Sequence, residues 1–214
     1  MLVAKEFYDK KTGEVLHYTT EEREDQILLD WSERKKDPDL ERYKKYLKGF
    51  GVTEHDFLNK VVADIGCGPW GGILNHAKLA KRRIGIDPLI EQYIKKGIFD
   101  YKDEYLIDDA QRIRLKGDTV DMVFCLNALD HCDHTGTPLK IVKEIYRILK
   151  PGGKAYIYVH LRDGGELNIM HLYGIEEKDC RRYFEKFKTI KFEVLKTDTV
   201  WGTKHLTFWG IFEK

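Results

Sequence analysis

The stretch VADIGCGPWGG, residues 62–72, sets four glycines behind an apolar run that carries the acid Asp64. Backbone this bare lets a strand turn sharply and lets a ligand approach the main chain closely. About twenty residues further on, where nucleoside-binding folds place their ribose acid, a second apolar run ends in IGID and presents Asp87, with Pro88 stopping the run. A carboxylate there can accept both hydroxyls of a ribose; without the glycines, Asp87 would read as the start of a turn. The loop contains no Gly-Lys-Ser/Thr, so it lacks the groups that reach a triphosphate and hold magnesium. Pro69 and Trp70 interrupt the third glycine position of a dinucleotide fingerprint. The pattern therefore fits a nucleoside without a pyrophosphate.

A second cluster, NALDHCDHTG at residues 127–136, packs His131, Cys132, Asp133 and His134 side by side. Each can ligate zinc, but four adjacent residues cannot all point at one ion, and two histidines three apart still need a partner such as His160 or His171. No metal site is predicted. A histidine titrating near neutrality, with an acid beside it, suits proton transfer instead.

These groups need a frame, and the rest of the chain supplies one. From Lys60 onward, strand-length apolar runs (VVADI, RRIGI, EYLI, TVDMVFCL, KAYIYVH) alternate with amphipathic segments. Between the last two, Leu139, Val142, Ile145 and Leu149 recur at three- and four-residue intervals along one helical face. Alternation of this kind predicts a parallel sheet wrapped by helices. TIKFEVL and HLTFWGIF then follow each other with period two and no room for a crossover helix, which predicts an antiparallel pair at one edge. Before residue 60 the chain reads as polar and helical. Thr19 or Thr20 caps a first helix with Ile27, Leu28 and Trp31 at helical spacing, and Asp37-Pro38 separates it from a second that ends at Gly49. Trp31 and Arg34 stand one turn apart, as do Tyr43 and Leu47, so these helices could cover a site; a solvated helix with an inward apolar stripe is the preferred reading.

The 214 residues fit one domain with a single core, here 1–214 with residues 1–58 as a helical N-terminal cap. Lys and Arg total 37 against 36 Asp and Glu, so no bulk field favours nucleic acid. No run approaches the ~20 apolar residues that cross a bilayer, and the N-terminus lacks a signal-peptide core, so a cytoplasmic protein without membrane association is expected. The four cysteines form no CxxC pair and read as reduced thiols. No feature marks an oligomer interface.

Five segments in order, VVADIGCGPWGG, IGIDP, LIDDAQRIRL, DTVDMVFCLNALDH and EIYRILKPGGKAYI, resemble the class I S-adenosylmethionine-dependent methyltransferases, in particular the methyltransferase type 11 group. The resemblance implies an α/β, Rossmann-like seven-stranded, mostly parallel sheet with helices on both faces and an antiparallel C-terminal strand. It implies S-adenosylmethionine as cofactor, with Asp64, Gly66, Cys67 and Gly68 at the methionine part, Asp87 and Pro88 at the ribose, Asp109 and Ala110 at the adenine, and Asn127 beside the cofactor. Asp130 and His131 then face the acceptor, and His171 lies in a segment that covers acceptors in similar proteins. His131 is the favoured base, with Asp130 orienting its ring or touching the acceptor; an acceptor that needs no base leaves His131 as pocket wall. The expected partner is a small-molecule acceptor. Alternatives are an RNA or protein acceptor, a non-catalytic cofactor-binding module, and a nicotinamide-dependent oxidoreductase.

Overall fold

A computed structural model describes residues 5–8, 15–18, 20–34, 36–131, 138–161, 174–198 and 204–214. Each strand-length run becomes a strand: β3 Val61–Ile65, β4 Arg82–Ile86, β5 Glu104–Leu106, β6 Val120–Leu126, β7 Leu149–Leu161, β8 Lys188–Asp198 and β9 Lys204–Glu213. They form one seven-stranded sheet in the order β5-β4-β3-β6-β7-β9-β8. The pairs among β5, β4, β3, β6 and β7 are parallel, and β9 lies antiparallel between β7 and β8. The seven-stranded, mostly parallel sheet with antiparallel C-terminal strands is thus the architecture that the alternating runs predict.

Period-two alternation sorts the side chains onto two faces. On one, Ala63, Ile65, Val123, Cys125, Ala155 and Ile157 meet the apolar stripe of α4 (Pro138–Ile148), together with Cys180 of α5 (Glu177–Tyr183). On the other, Val62, Met122, Phe124, Tyr156, Tyr158 and Ile211 are covered by Tyr43, Tyr46 and Phe50 of α2 (Lys36–Phe50) and by Ile73 and Leu74. Pro38 falls in the first turn of α2, where its missing N–H costs nothing, so the helix begins before the proline rather than after it. The LKPGG segment is a bulge inside β7, not a turn ahead of it. Val120 pairs with Leu149 while Met122 pairs with Lys154, and the extra residues are held by the Gly152 N–H on the Lys214 carbonyl (2.8 Å).

The N-terminal region departs from the helical reading in one respect. Lys5–Tyr8 (β1) and Val15–Tyr18 (β2) pair antiparallel, Lys5 with Tyr18 and Tyr8 with Val15, before α1 (Thr20–Glu33) begins. The signal was present: two short runs rich in aromatic and β-branched residues flank the polar, glycine-containing stretch DKKTGE, a hairpin pattern. Among the described residues, no helix is long and apolar enough to cross a membrane.

Candidate active site

The carboxyl ends of β3, β4, β5 and β6 converge on one edge of the sheet, where open α/β folds bind their ligands. The glycine loop leaves β3 and crosses to the end of β4, where the Gly66 and Cys67 N–H groups both donate to the Ile86 carbonyl (2.8 and 3.4 Å). Asp64 is buried and its Oδ2 accepts the Ile73 N–H at 3.1 Å, tying the base of the loop to its far end. One short 3-10 turn, Gly72–His76, follows instead of a long helix. Gly66 holds φ +74° and a Cβ there would collide with the Ala128 Cβ just beyond β6, so this glycine lets the two strand exits touch. Gly68 holds φ +63°, and a Cβ on it would lie 2.7 Å from the Trp31 indole.

Asp87 sits at the end of β4, only 6% exposed. Its Oδ2 accepts the Gly68 N–H at 3.0 Å and its Oδ1 accepts the Leu89 N–H at 2.9 Å. Each oxygen has taken one donor and retains a second lone pair, which is the capacity two ribose hydroxyls require. Burial raises its pKa to about 6, against the opposing pull of the two N–H groups. Burial likewise pushes Asp64 well above the carboxylate range and the Cys67 thiol well above its ordinary value, so Cys67 is a packing thiol rather than a nucleophile. Pro88 is exposed at the turn out of β4.

Beyond β5 the two acids divide their work. Asp108 is buried and accepts the Arg114 N–H (2.7 Å) and Nε (2.5 Å), which shapes the following loop. Asp109 is exposed, and its Oδ1 accepts the Gln111 N–H at 2.8 Å in an Asx-type turn beside the half-buried Ala110. Beyond β6, Asn127 adopts φ +54°, donates its N–H to the Tyr158 carbonyl (2.8 Å) and its Nδ2 to the Tyr46 hydroxyl (2.9 Å). Its Oδ1 is buried with no hydrogen-bond partner among the described residues. Asp130 is 1% exposed, and its Oδ1 lies 3.9 Å from Nε2 of His131, too far for a hydrogen bond. Cys132, Asp133, His134 and His171 fall outside the described residues.

The structure therefore places Asp64, Gly66, Cys67, Gly68, Asp87 and Asn127 at or just beyond the carboxyl ends of β3, β4 and β6 and leaves Asp109 facing water. It adds residues that the motifs did not reveal. Tyr46 of α2 holds Asn127, and Arg23 of α1 donates through Nη2 to the His131 carbonyl. Trp31 lies against Gly68 and edge-on to Trp70 (5.3 Å), with the Arg34 guanidinium 4.8 Å above its ring. The face of α1 preferred as a solvated helix thus borders the cleft. Nothing local in the sequence separates a covering helix from a solvated one, because both show the same apolar stripe. A cavity of about 430 Å³ opens beside the loop between Trp31, Tyr43, Cys67, Trp70, Gly72 and Asn75; Asp87, Asp109 and Asn127 lie outside its lining.

Residues 63–157 match the family described as a methyltransferase domain. The match covers less than half of the chain. A malonyl-[acyl-carrier protein] O-methyltransferase from Yersinia pestis is 35% identical over 100 residues, which are 44% of this chain and 34% of that protein. The chain thus spans about a third of the length of that relative. A S-adenosylmethionine-dependent methyltransferase from Methanosarcina mazei superposes with a TM-score of 0.57 at 21% identity, over 75% of this chain and 95% of that one. A phosphoethanolamine N-methyltransferase 2 from Haemonchus contortus, in complex with S-adenosyl-L-methionine, gives 0.60 at 19% identity over 81% and 52%. The matched span takes in the residues from Asp64 to His131 and none of α1 or α2.

Proposed function

We propose that the chain transfers the methyl group of S-adenosylmethionine to a small-molecule acceptor, as one unit with residues 1–58 as its cap. The observation that carries this reading is Asp87, a buried carboxylate aligned by the Gly68 and Leu89 N–H groups with one lone pair left on each oxygen. The bound cofactor would supply a methyl group activated by a sulfonium. In this reading Asp87 accepts the ribose hydroxyls, with Pro88 setting its turn. Asp64, Gly66, Cys67 and Gly68 keep the loop backbone within reach of the methionine part. Asp109 and Ala110 flank the adenine, and Asn127 offers its Oδ1 to a donor on the ligand.

Displacement at a methyl carbon depends mainly on alignment and on exclusion of water, and both are served by side chains as buried as Asp87 and Asp130. His131 receives a proton where the acceptor must lose one; Asp130 orients the His131 ring or contacts the acceptor, and His171 contacts the acceptor. A small acceptor is supported by α2, whose Tyr46 holds Asn127, and by a balanced surface charge that offers no nucleic-acid track.

Calorimetric titration with S-adenosylhomocysteine, S-adenosylmethionine and NAD tests the cofactor. Binding of the two sulfur nucleosides and not NAD is the expected result, and binding of NAD alone overturns it. Methyl transfer assayed against a metabolite panel and against total RNA tests the acceptor; transfer to RNA alone sinks the small-molecule reading.

A further inference from the structure

Helix α1 touches the cleft at three places with one face. Arg23, Ile27, Leu28 and Trp31 recur at helical intervals, so the nine residues from Arg23 to Trp31 reach ~12 Å along the axis. At the first end Arg23, 7% exposed, donates to the His131 carbonyl. In the middle, Ile27 and Leu28 form an apolar cluster with Leu89, Ile90 and Tyr93, just after Asp87. At the far end Trp31 lies on Gly68, whose N–H holds the other Asp87 oxygen. The helix thus covers both neighbours of Asp87, and the carboxylate is 6% exposed beneath it.

The contact at Gly68 leaves no gap. A single added carbon there would lie 2.7 Å from Trp31 Cζ2 and 2.9 Å from Cη2, so the close approach that the glycine provides is taken by the protein's own indole. A nucleoside cannot lie against Gly68 while Trp31 does. We infer that α1 is an autoinhibitory strap whose Trp31 competes with the cofactor for the glycine loop. This rests on the reading of Asp87 and Gly68 as the nucleoside site.

The strap makes the free protein mostly binding-incompetent, and affinity is reduced by the fraction of molecules that are open. Among the described residues its hold on the cleft includes one short apolar cluster, one edge-on indole pair and one guanidinium on a carbonyl. Elements at a domain surface open locally without global unfolding. The release of Arg23 from the His131 carbonyl would also link entry of the cofactor to the acceptor side of the cleft.

The test compares wild-type protein, Trp31→Ala and Arg23→Gln by stopped-flow fluorescence and calorimetry with S-adenosylhomocysteine, alongside hydrogen exchange of the α1 amides. In wild type the observed rate should plateau with ligand concentration, because opening precedes binding. Trp31→Ala should bind about fivefold or more tightly with a rate that rises linearly, and Arg23→Gln should move the same way by less. Saturating ligand should speed exchange across residues 20–33 while protecting residues 66–72. Weaker binding by Trp31→Ala, together with slower α1 exchange on ligand binding, overturns the inference and makes α1 a roof over the cofactor. If both proteins bind with the same affinity, the strap fails alone; if neither binds S-adenosylhomocysteine, the nucleoside reading fails and takes the strap with it.

Discussion

The two halves of the cleft are assembled from different distances along the chain. The nucleoside half, Asp64 to Asp87, is closed by bonds between residues near in sequence: Asp64 to Ile73, Gly68 to Asp87, Asp87 to Leu89. The acceptor half, Asn127 to His131, is held by helices that precede it by most of the domain. Tyr46 reaches Asn127 across 81 residues, and Arg23 reaches His131 across 108. A half closed by its own backbone N–H groups keeps its geometry when α1 and α2 shift; a half held by distant side chains follows them. In the proposed function, cofactor recognition falls to the rigid part and acceptor choice to the part that varies with the cap, in keeping with function residing in sites grafted onto a fold.

The largest expected effect lies in the nucleoside half. Asp87→Ala removes two charged acceptors for ribose hydroxyls, each worth ~1.5–3 kcal/mol, so S-adenosylhomocysteine affinity should fall by ~100-fold or more. Titration calorimetry checks this, and a loss below tenfold would falsify the ribose assignment.

The halves meet where Gly66 touches Ala128. Gly66→Ala imposes a left-handed φ on a residue with a side chain and drives it into the Ala128 Cβ, at a cost of ~2 kcal/mol. Thermal melting should fall by about 4–8 °C, and adding Ala128→Gly should recover part of that loss. An unchanged melting temperature would mean that the two strand exits do not bear on each other.

Acid separates the halves through one group. Burial holds Asp87 near pKa 6 in the free protein, above the ordinary carboxylate value. A proton bound there occupies a carboxylate oxygen that the ribose needs, so affinity should fall up to tenfold per pH unit below about 6 and level off above it. The same shift acts oppositely on folding. Because the folded state binds the proton more tightly than the unfolded chain, this group's contribution favours the fold below the unfolded pKa and is lost as pH rises through 6. A binding profile flat between pH 5 and 7 would separate Asp87 from the ligand.

The smallest effect belongs to the acceptor half. Tyr46→Phe removes the acceptor of the Asn127 Nδ2 and should cost ~1 kcal/mol, read as about a fivefold drop in kcat/KM at the acceptor. S-adenosylhomocysteine affinity should fall by less than that, because the Asn127 N–H stays on the Tyr158 carbonyl. Equal losses in both readouts would show that the halves are a single rigid unit.

The strands and their order of use were legible because period-two runs, a stripe of Leu, Val and Ile on α4, and glycine punctuation are local signals. VADIGCG and IGID were legible as a pair for the same reason, since their chemistry is backbone turn plus a nearby acid. The β1–β2 hairpin was overlooked because four-residue strands carry little periodicity beside a strongly charged helix. Asp108 and Asp109 stand side by side, and the motif alone does not tell which of them faces a ligand. The structure buries Asp108 against Arg114 and turns Asp109 to water, a distinction that depends on a loop closing six residues later.

Sequence by itself determined the seven strands, their alternation with helices, the antiparallel pair at the C-terminal edge and the pairing of a glycine loop with Asp87, because each depends on side-chain period or on backbone freedom within a few residues. Tertiary structure alone decided that Trp31 fills the approach to Gly68, that Arg23 holds the His131 carbonyl and that Tyr46 anchors Asn127. Those contacts join residues separated by 37 to 108 positions. No local pattern distinguishes a helix stripe that packs on a core from one that lies across a ligand's path; the difference appears only when the folded sheet sets the two edges side by side.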